Sequence, residues 1–390
     1  MNDKELLLRY GCNPHQTSAR IYKQDDSLPI TILNGNPGYI NLLDALNSWQ
    51  LVKELKQSLN IPAAASFKHV SPAGAAVGIP LTKQLRQAYL VDDHLELSPL
   101  ASAYARARGS DRISSFGDWA ALSNVVDIST AKLLRPEVSD GVIAPGYEPE
   151  ALNILKQKRR GNYLIIKINS DYEPVSLEKR EVFGISFEQQ RNQIIPNLKH
   201  LQKIVTSNKE ITDAAKRDLL VGMIALKYTQ SNSVCLSIDG QIIGMGAGQQ
   251  SRIGCTRIAI EKAQQWYLRQ HPKVLNLSFR PNVKRTEKDN LVFKYLQGDF
   301  MLFRNWERFF TESPDKLTAS EKLQWLTKHS DVSLASDGYI PFSDNIDAAQ
   351  EAAVKYIVQP GGSLRDRDVI SACNKYDMVM IFSGLRLFHH

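Results

Sequence analysis

The chain has 390 residues, of which 43% are hydrophobic and 23% charged, a composition typical of a globular protein with one or two domains. The formal net charge of +7 favours anionic partners, but the absence of a long lysine and arginine block argues against a nucleic-acid-binding protein. The four cysteines form no CxxC pair, and no apolar run is long enough to span a membrane. We therefore expect a cytoplasmic protein without a cysteine-based zinc or redox motif.

The first half of the chain alternates predicted helices and strands. Apolar residues at helical spacing predict a helix over 41–59, and the apolar run 61–67 predicts a strand. Lys68 and His69 follow this strand, and Pro72 is expected in the first turn of a helix. Another helix is expected from Trp119, and strands over 142–147 and 163–168. This alternation indicates an α/β fold with a soft boundary in the polar segment 169–186.

The second half has the same rhythm. Thr212 can cap a helix that runs to Lys227, and Asp239-Gly240 is a strong signal for a two-residue hairpin. The loop 246–252 opens another helix, and the charged segment 272–334 is expected to be an insertion. Helices over 348–356 and 365–373 and strands at 357–358 and 378–382 complete the pattern. Two similar halves are compatible with this order, but the sequence alone does not prove a duplication.

The Lys68-His69 pair is the strongest candidate for chemistry. It places a cation and a titratable base at the carboxyl end of a predicted strand, the edge at which open α/β sheets bind ligands. The alternative is a solvated surface pair, which short motifs do not exclude. Gly246-x-Gly248 is too short for a dinucleotide site, and the sequence contains no P-loop, HExxH or GxSxG motif.

A resemblance is carried by short motifs that are unspecific alone but occur in one order along almost the whole chain. They are 8–11 (LRYG) with 13–16 (NPHQ), 66–70 (SFKHV) with 72–74 (PAG), 115–118 (SFGD), 143–147 (IAPGY), 227–233 (KYTQSNS), 246–252 (GAGQQSR), 341–342 (PF) with 344–345 (DN), and 385–390 (LRLFHH). The set resembles the AICAR transformylase domain of the bifunctional purine-biosynthesis enzyme whose other half is IMP cyclohydrolase.

The resemblance implies an α/β fold of two cytidine-deaminase-like three-layer αβα subdomains without zinc. We place them at 1–180 and 181–390, with the insertion at about 270–335. It also implies a homodimer with active sites at the interface and no metal in the chemistry. The co-substrate 10-formyltetrahydrofolate would formylate the 5-amino group of AICAR, giving formyl-AICAR and tetrahydrofolate. The cyclohydrolase half has no match here, so we expect ring closure to IMP by a separate enzyme downstream.

The resemblance assigns catalysis to Lys68 and His69. The amine of AICAR is a poor nucleophile, so a base should help, and an imidazole with an ordinary pKa near 6.5 suits that role. His69 is the expected general base. Lys68 is expected to stabilise the negative oxygen of the attacked formyl carbon, a contribution of roughly 2.7–4 kcal/mol for one such donor.

Binding residues are carried over from the same motifs. The expected AICAR contacts are Arg9, Tyr10, His69, Gly117, Asp140, Asn232, Arg252, Tyr339 and Arg386. The expected folate contacts are Ile253, Pro341, Asp344, Ser363 and Leu364. Asp140 and Arg386 could instead form structural ion pairs, and Asp344 could be a helix N-cap.

Three alternatives stay open at this point. The chain could use another formyl donor, such as formyl phosphate. It could bind purine ribotides without turning them over. It could also bind RNA, although the spread of the basic residues argues against this.

Overall fold

The structure is a computed structural model that describes residues 4–23 and 26–390. The strands of this part of the chain are β1 (Glu5–Leu8), β2 (Ala19–Tyr22), β3 (Ile30–Asn34), β4 (Ala63–Lys68), β5 (Ser71–Val77), β6 (Asp118–Leu122), β7 (Ser139–Ala144), β8 (Leu164–Ile168), β9 (Leu177–Val182), β10 (Ile185–Gln190), β11 (Val234–Ile238), β12 (Gln241–Gly246), β13 (Val332–Ser336), β14 (Val354–Gln359) and β15 (Val379–Phe382). The α-helices are α1 (Tyr39–Leu59), α2 (Lys83–Ala88), α3 (Pro99–Gly109), α4 (Ile128–Leu134), α5 (Pro149–Lys156), α6 (Asp213–Leu226), α7 (Arg252–Leu268), α8 (Pro272–Leu275), α9 (Arg285–Gln297), α10 (Phe300–Arg304), α11 (Ala319–Leu326), α12 (Asp344–Glu351) and α13 (Asp366–Lys375).

One large sheet is the centre of the fold. Its strand order is β15-β14-β13-β11-β12-β5-β4-β6-β7-β8-β3. Each half contributes an antiparallel hairpin followed by three parallel strands: β4–β5 with β6, β7 and β8, and β11–β12 with β13, β14 and β15. The halves join where β12 runs antiparallel to β5, with Gln241 opposite Ala76.

Helices cover both faces of this sheet. Helices α1 and α6 pack on one face, where they share a core with Ala63, Ala65 and Val358. Helices α3, α4, α5, α7, α12 and α13 pack on the other face, around Ala64 and Ile357. Successive strand residues point to opposite faces, so both cores need apolar strands, which the sequence supplies. The expected α/β class with three αβα layers in each half is confirmed.

Most predicted elements are present. Helix α1 and strands β7 and β8 match the expected segments, and the Thr212 side chain caps α6 by accepting from the Ala215 N–H. Asp239 and Gly240 turn the β11–β12 hairpin with φ of 50° and 72°, the left-handed geometry of a two-residue hairpin turn. The division into domains at 180/181 stays a prediction, and it falls within β9 of an exposed hairpin.

Two expected helices are strands. The segment after Lys68 is β5, because its small residues let the sheet approach α3 closely: a Cβ on Gly74 would lie 2.1 Å from the Ala107 carbonyl oxygen. Pro72 is tolerated near the start of β5, in a register shift opposite Phe67. Trp119 lies in β6 and is buried against Gly141, where there is no room for a Cβ. The helix expected at 348–356 ends earlier, since Glu351 closes α12 and Tyr356 lies in β14.

The segment after α7, expected to be an insertion at about 270–335, forms helices α8 to α11, and its origin as an insertion stays a prediction. Helices α8 to α11 enclose a separate small core that includes Val274, Leu291, Tyr295 and Phe310. Within the described residues, no helix is both long and apolar enough to cross a membrane.

Candidate functional site

The β4–β5 hairpin turn carries the Lys68-His69 pair. His69 and Val70 form this turn with φ of 52° and 58°. The left-handed region is unfavourable for a β-branched residue such as Val70, so the turn needs support from its surroundings. The Asp44 carboxylate of α1 supplies it, because Oδ1 accepts the Val70 N–H at 2.7 Å. His69 is therefore exposed at the tip of a turn that Asp44 of α1 stabilises.

Asp44 is a buried carboxylate, only 7% exposed. Burial raises the pKa of its carboxyl, whereas the Val70 N–H and the charge of His69 oppose that rise. The charge of Asp140 adds to the rise in the pKa of Asp44. Asp140 itself forms a half-exposed ion pair with Arg159 at 3.1 Å. The hydrogen bond to Val70 therefore places Asp44 beside the turn that carries His69, whereas Asp140 is bonded to Arg159.

Lys68 is fixed against the loop that precedes β6. Its Nζ donates to the Phe116 carbonyl oxygen at 2.6 Å, next to Gly117, which has a φ of +75°. The loop is anchored from inside, because the Ser66 hydroxyl donates to Asp118 Oδ2 at 2.7 Å. Gly117, predicted to contact AICAR, therefore lies beside Lys68.

A buried ionic network continues from this anchor. Arg108 donates to Asp118 at 2.6 Å and to Glu137 at 2.9 Å, and Arg285 of the insertion donates to Glu137 at 2.8 Å. Burial alone would raise the pKa of Glu137, but the surrounding guanidinium groups hold it below its ordinary value. Removing one member of such a network leaves an uncompensated buried charge, so its parts depend on one another.

A second cluster lies in the other half, around Asn232 and Arg252. The Arg252 guanidinium donates NH2 to Asn232 Oδ1 at 2.8 Å and NH1 to the Ser233 carbonyl at 2.9 Å and to Asp337. Asp337 is fully buried. Its Oδ2 also accepts the Ser231 hydroxyl at 2.6 Å and the Ser233 N–H at 3.0 Å. One carboxylate thus gathers the 231–233 loop and the first residue of α7.

The C-terminal segment closes the second cluster. The Ser231 N–H donates to the His389 carbonyl, and the His389 N–H donates back to the Ser231 hydroxyl, both at 3.0 Å. The Leu387 N–H donates to the Asp337 carbonyl at 2.8 Å. Tyr339 and Arg386, whose side chains are exposed, lie two residues after Asp337 and one residue before Leu387, in the segments that these bonds join.

The predicted folate residues lie next to this cluster. Ile253 is in the first turn of α7, and Asp344 begins α12, where it lines a groove of about 420 Å³ between these helices. Helix α12 begins after an N-cap at Ser343, so Asp344 is not the cap itself.

The 340 and 360 loops are tied to each other. The side-chain oxygen of the buried Gln359 accepts the N–H groups of Ile340 and Gly361, which join the loop of Pro341 to the loop of Ser363 and Leu364. Leu364 is fully exposed.

Arg9 and Tyr10 form no hydrogen bond with either cluster in the described residues. They follow β1, with the Arg9 guanidinium 5.9 Å from the centre of the Tyr10 ring. In the described part of the chain, neither side chain hydrogen-bonds to another predicted site residue. Their predicted contact with AICAR stays a prediction.

The two clusters share one edge of the sheet but are separate. Strand β4 ends there, with Lys68 opposite Ser71, and β11 begins there, with Val234 opposite Gly246. Strands β5 and β12 lie between β4 and β11, so Lys68 at the end of β4 and Val234 at the start of β11 are three strand spacings apart, on the order of 14 Å. No hydrogen bond between the clusters occurs among residues 4–23 and 26–390.

Comparison with known proteins identifies the family. The sequence profile of the family described as AICARFT/IMPCHase bienzyme matches residues 1–262. The chain belongs to this family. Relatives called bifunctional purine biosynthesis protein PurH include those of Petrotoga mobilis, 30% identical over the whole chain, and Clostridioides difficile, 30% identical over 99% of it. That of Magnetococcus marinus is 29% identical over 98% of the chain. The chain spans about 59–60% of the length of these relatives.

Sequence reasoning missed two residues that support the candidate clusters, Asp44 and Asp337. Asp44 interrupts the apolar side of α1, and Asp337 follows the buried strand β13 directly. A buried carboxylate requires donors, so an acidic residue in either position was a signal for a local polar cluster. In the described residues, no group of three or more His, Cys, Asp or Glu side chains is placed to hold a metal ion.

Proposed function

We propose that this chain transfers a formyl group from 10-formyltetrahydrofolate to the 5-amino group of AICAR, as a step of purine biosynthesis. The observation that carries the proposal is the β4–β5 turn, which holds Lys68 and His69 together at the end of β4, with Lys68 bonded to the Phe116 carbonyl oxygen beside Gly117. Because β4 runs antiparallel to β6, this turn lies at the amino ends of the parallel strands β6, β7 and β8, and not at their carboxyl ends as the sequence predicted. Membership of the family and the PurH names of the relatives support this choice of substrates.

The step needs a base and a stabilised oxyanion. His69 takes the proton of the amine as its nitrogen attacks the formyl carbon, and the carbonyl oxygen becomes negative. An ammonium group has three N–H donors, and Lys68 uses one on the Phe116 carbonyl, so others remain for this oxygen. The new C–N bond persists, the bond from carbon to N10 of the folate breaks, and N10 receives a proton.

The predicted AICAR residues would have different tasks in this proposal. Asn232 is within reach of a ligand at the sheet edge, and so are the exposed Tyr339 and Arg386. Arg252 is buried and its NH1 and NH2 groups are engaged by protein oxygens, which favours an indirect role for it through Asn232.

We also propose a homodimer whose active sites form at the subunit interface. The Lys68 turn and the Asn232 cluster lie at the same end of the central strands but share no hydrogen bond in the described residues, and no hydrogen bond there joins Arg9 to either. A second copy can supply the missing half of each site. In this arrangement the folate lies near Ile253, Pro341, Asp344, Ser363 and Leu364. The 420 Å³ groove beside Asp344 offers a carboxylate to a donor-rich pterin.

The deciding experiment is a formyl-transfer assay with AICAR, with the product identified by mass. The purified chain should turn over with 10-formyltetrahydrofolate, and Lys68→Ala should lower kcat by about 10²–10³-fold through loss of an oxyanion donor. His69→Ala should lower it by about 10²–10⁴-fold through loss of the base. His94→Ala, at an exposed histidine in the 92–94 loop, is the matched control and should retain activity.

Other outcomes separate the alternatives. Turnover with formyl phosphate but not with the folate would change the donor and keep the acceptor. Tight AICAR binding without turnover under either donor would identify a non-catalytic ribotide-binding module. Full activity in both Lys68→Ala and His69→Ala would refute the mechanism.

A further inference from the structure

Asp337 is the carboxylate that accepts the hydrogen bonds of the second cluster. It is fully buried and lies directly after β13. Its two oxygens accept from the Ser231 hydroxyl at 2.6 Å, from the N–H and hydroxyl of Ser233 at 3.0 Å each, and from Arg252 NH1. A buried carboxylate with this many donors fixes the groups that surround it.

This arrangement determines the orientation of the Asn232 side-chain amide. An arginine side chain has only donors, so the Asn232 atom that faces Arg252 NH2 at 2.8 Å must be the amide oxygen. Asn232 Nδ2 then donates to the Gln250 carbonyl at 3.2 Å, which leaves its second N–H without a protein partner in the described structure. The amide is thereby presented to a ligand as a donor and not as an acceptor.

We propose that Asp337 is a positioning residue that, through Arg252, locks the Asn232 amide with one N–H directed at an oxygen of the bound ribotide. This inference rests on the proposed function for the identity of the ligand. Without the Asp337 charge, Arg252 has no anionic partner in its buried position. The guanidinium group is then no longer held where its NH2 selects the orientation of Asn232. A flipped Asn232 would present its oxygen to the oxygen of the ligand, which is repulsive.

A double-mutant cycle tests the coupling. Asp337→Asn should raise the Kd for AICAR and lower kcat/KM by about tenfold or more, as Asn232→Ala should. In the Asn232→Ala background, Asp337→Asn should change either quantity by less than about threefold, because the group it positions is already absent. A merely structural role would give effects that multiply across the two backgrounds, which would overturn the proposal.

Asp218→Asn is the matched control for a buried carboxylate. Asp218 is 3% exposed and accepts from Arg217 Nε at 3.0 Å and the Gly240 N–H at 2.6 Å, at the opposite end of β11. Both substitutions should lower Tm, but only Asp337→Asn should weaken AICAR binding. Equal weakening by Asp218→Asn would contradict the proposal.

Measuring the Kd for AICAR by calorimetry tests this inference independently of the proposed reaction. If the wild-type chain binds AICAR but transfers no formyl group, the reaction is wrong and the cycle in Kd still decides the role of Asp337. If it transfers formyl groups and the cycle is multiplicative, the positioning role is wrong and the reaction stands. Absence of AICAR binding to the wild-type chain would overturn both. If Asp337→Asn does not fold, Ser233→Ala removes one donor to Asp337 and should raise Kd only when Asn232 is present.

Discussion

Val70 is a β-branched residue with a φ of 58°, directly after the two proposed catalytic residues. Backbone strain of this kind costs on the order of 1–3 kcal/mol and persists only where neighbours enforce it. The Asp44 carboxylate is the neighbour that satisfies the Val70 N–H. The position of His69 therefore depends on a helix residue that is 25 positions earlier in the chain.

Asp44→Ala should loosen this turn. Without the carboxylate, the Val70 N–H loses its acceptor, so we expect the free energy of unfolding to fall by about 1–3 kcal/mol. We expect kcat for formyl transfer to fall by about tenfold or more because His69 is no longer held. Urea unfolding and steady-state turnover measure the two effects.

Asp44→Asn separates the hydrogen bond from the charge, since an amide oxygen can still accept from Val70. It should retain more stability than Asp44→Ala. A turnover number that is unchanged in Asp44→Ala would show that the turn does not depend on this contact.

At the residue scale, a sequence indicates reactive side chains more clearly than the buried side chains that hold them in position. Lys68 and His69 stand out by chemistry, whereas Asp44 and Asp337 gain meaning only when distant segments meet. The Arg252–Asn232 contact shows the same limit, since only the structure reveals that Arg252 is buried.

Two hairpins show why some elements were predictable and others were not. Asp239-Gly240 and His69-Val70 both make two-residue turns with positive φ. The first uses residues that favour this geometry and is predicted by the sequence, but the second includes Val70, a β-branched residue that disfavours it. Pro72 suits the first turn of a helix as well as the start of a strand, and the close packing of β5 on α3 selects the strand.

The insertion contains two histidines whose environment makes its stability depend on pH. His329 stacks on Tyr267 with ring centres 3.8 Å apart, and His271 packs edge-on against Trp325 at 5.0 Å. Burial lowers the pKa of both imidazoles below 6.5. As the pH falls below 6.5, the unfolded chain takes up protons before the folded chain does, so folding stability is present above that pH and is lost below it.

We expect Tm to fall between pH 7.5 and pH 5.5, and His329→Phe to reduce the size of that fall. Phenylalanine keeps the stack on Tyr267 but cannot take up a proton. Thermal unfolding followed by circular dichroism at the two pH values measures the difference. His94→Phe, at an exposed site, should leave the fall unchanged, and an identical fall in His329→Phe would contradict the explanation.

On the scale of the whole molecule, each half contributes a hairpin and three parallel strands, and the two clusters lie at the same end of these strands without a hydrogen bond between them. The order of predicted elements is compatible with two similar halves, but a single sequence does not give the distance between the two clusters. That spacing follows from how β12 meets β5, a pairing of residues more than 160 positions apart.

The proposed dimer can be tested with two inactive variants. If each active site combines Lys68 of one subunit with Asn232 of the other, Lys68→Ala and Asn232→Ala should complement each other after mixing. Random exchange makes half of the dimers hybrid, each with one intact site, so about a quarter of wild-type activity should return. Each variant mixed with itself is the control. No recovery, despite hybrid dimers detected by native mass spectrometry, would place both residues of a site in the same subunit.

The insertion cannot be regarded as a removable accessory. Arg285 of α9 neutralises Glu137, and the same ionic network runs through Arg108 and Asp118 to the loop that receives Lys68. Deleting this segment would remove Arg285, the positive partner of the buried Glu137, from the first half. The smallest functional version of this scaffold therefore includes a segment that contributes no predicted contact to either substrate.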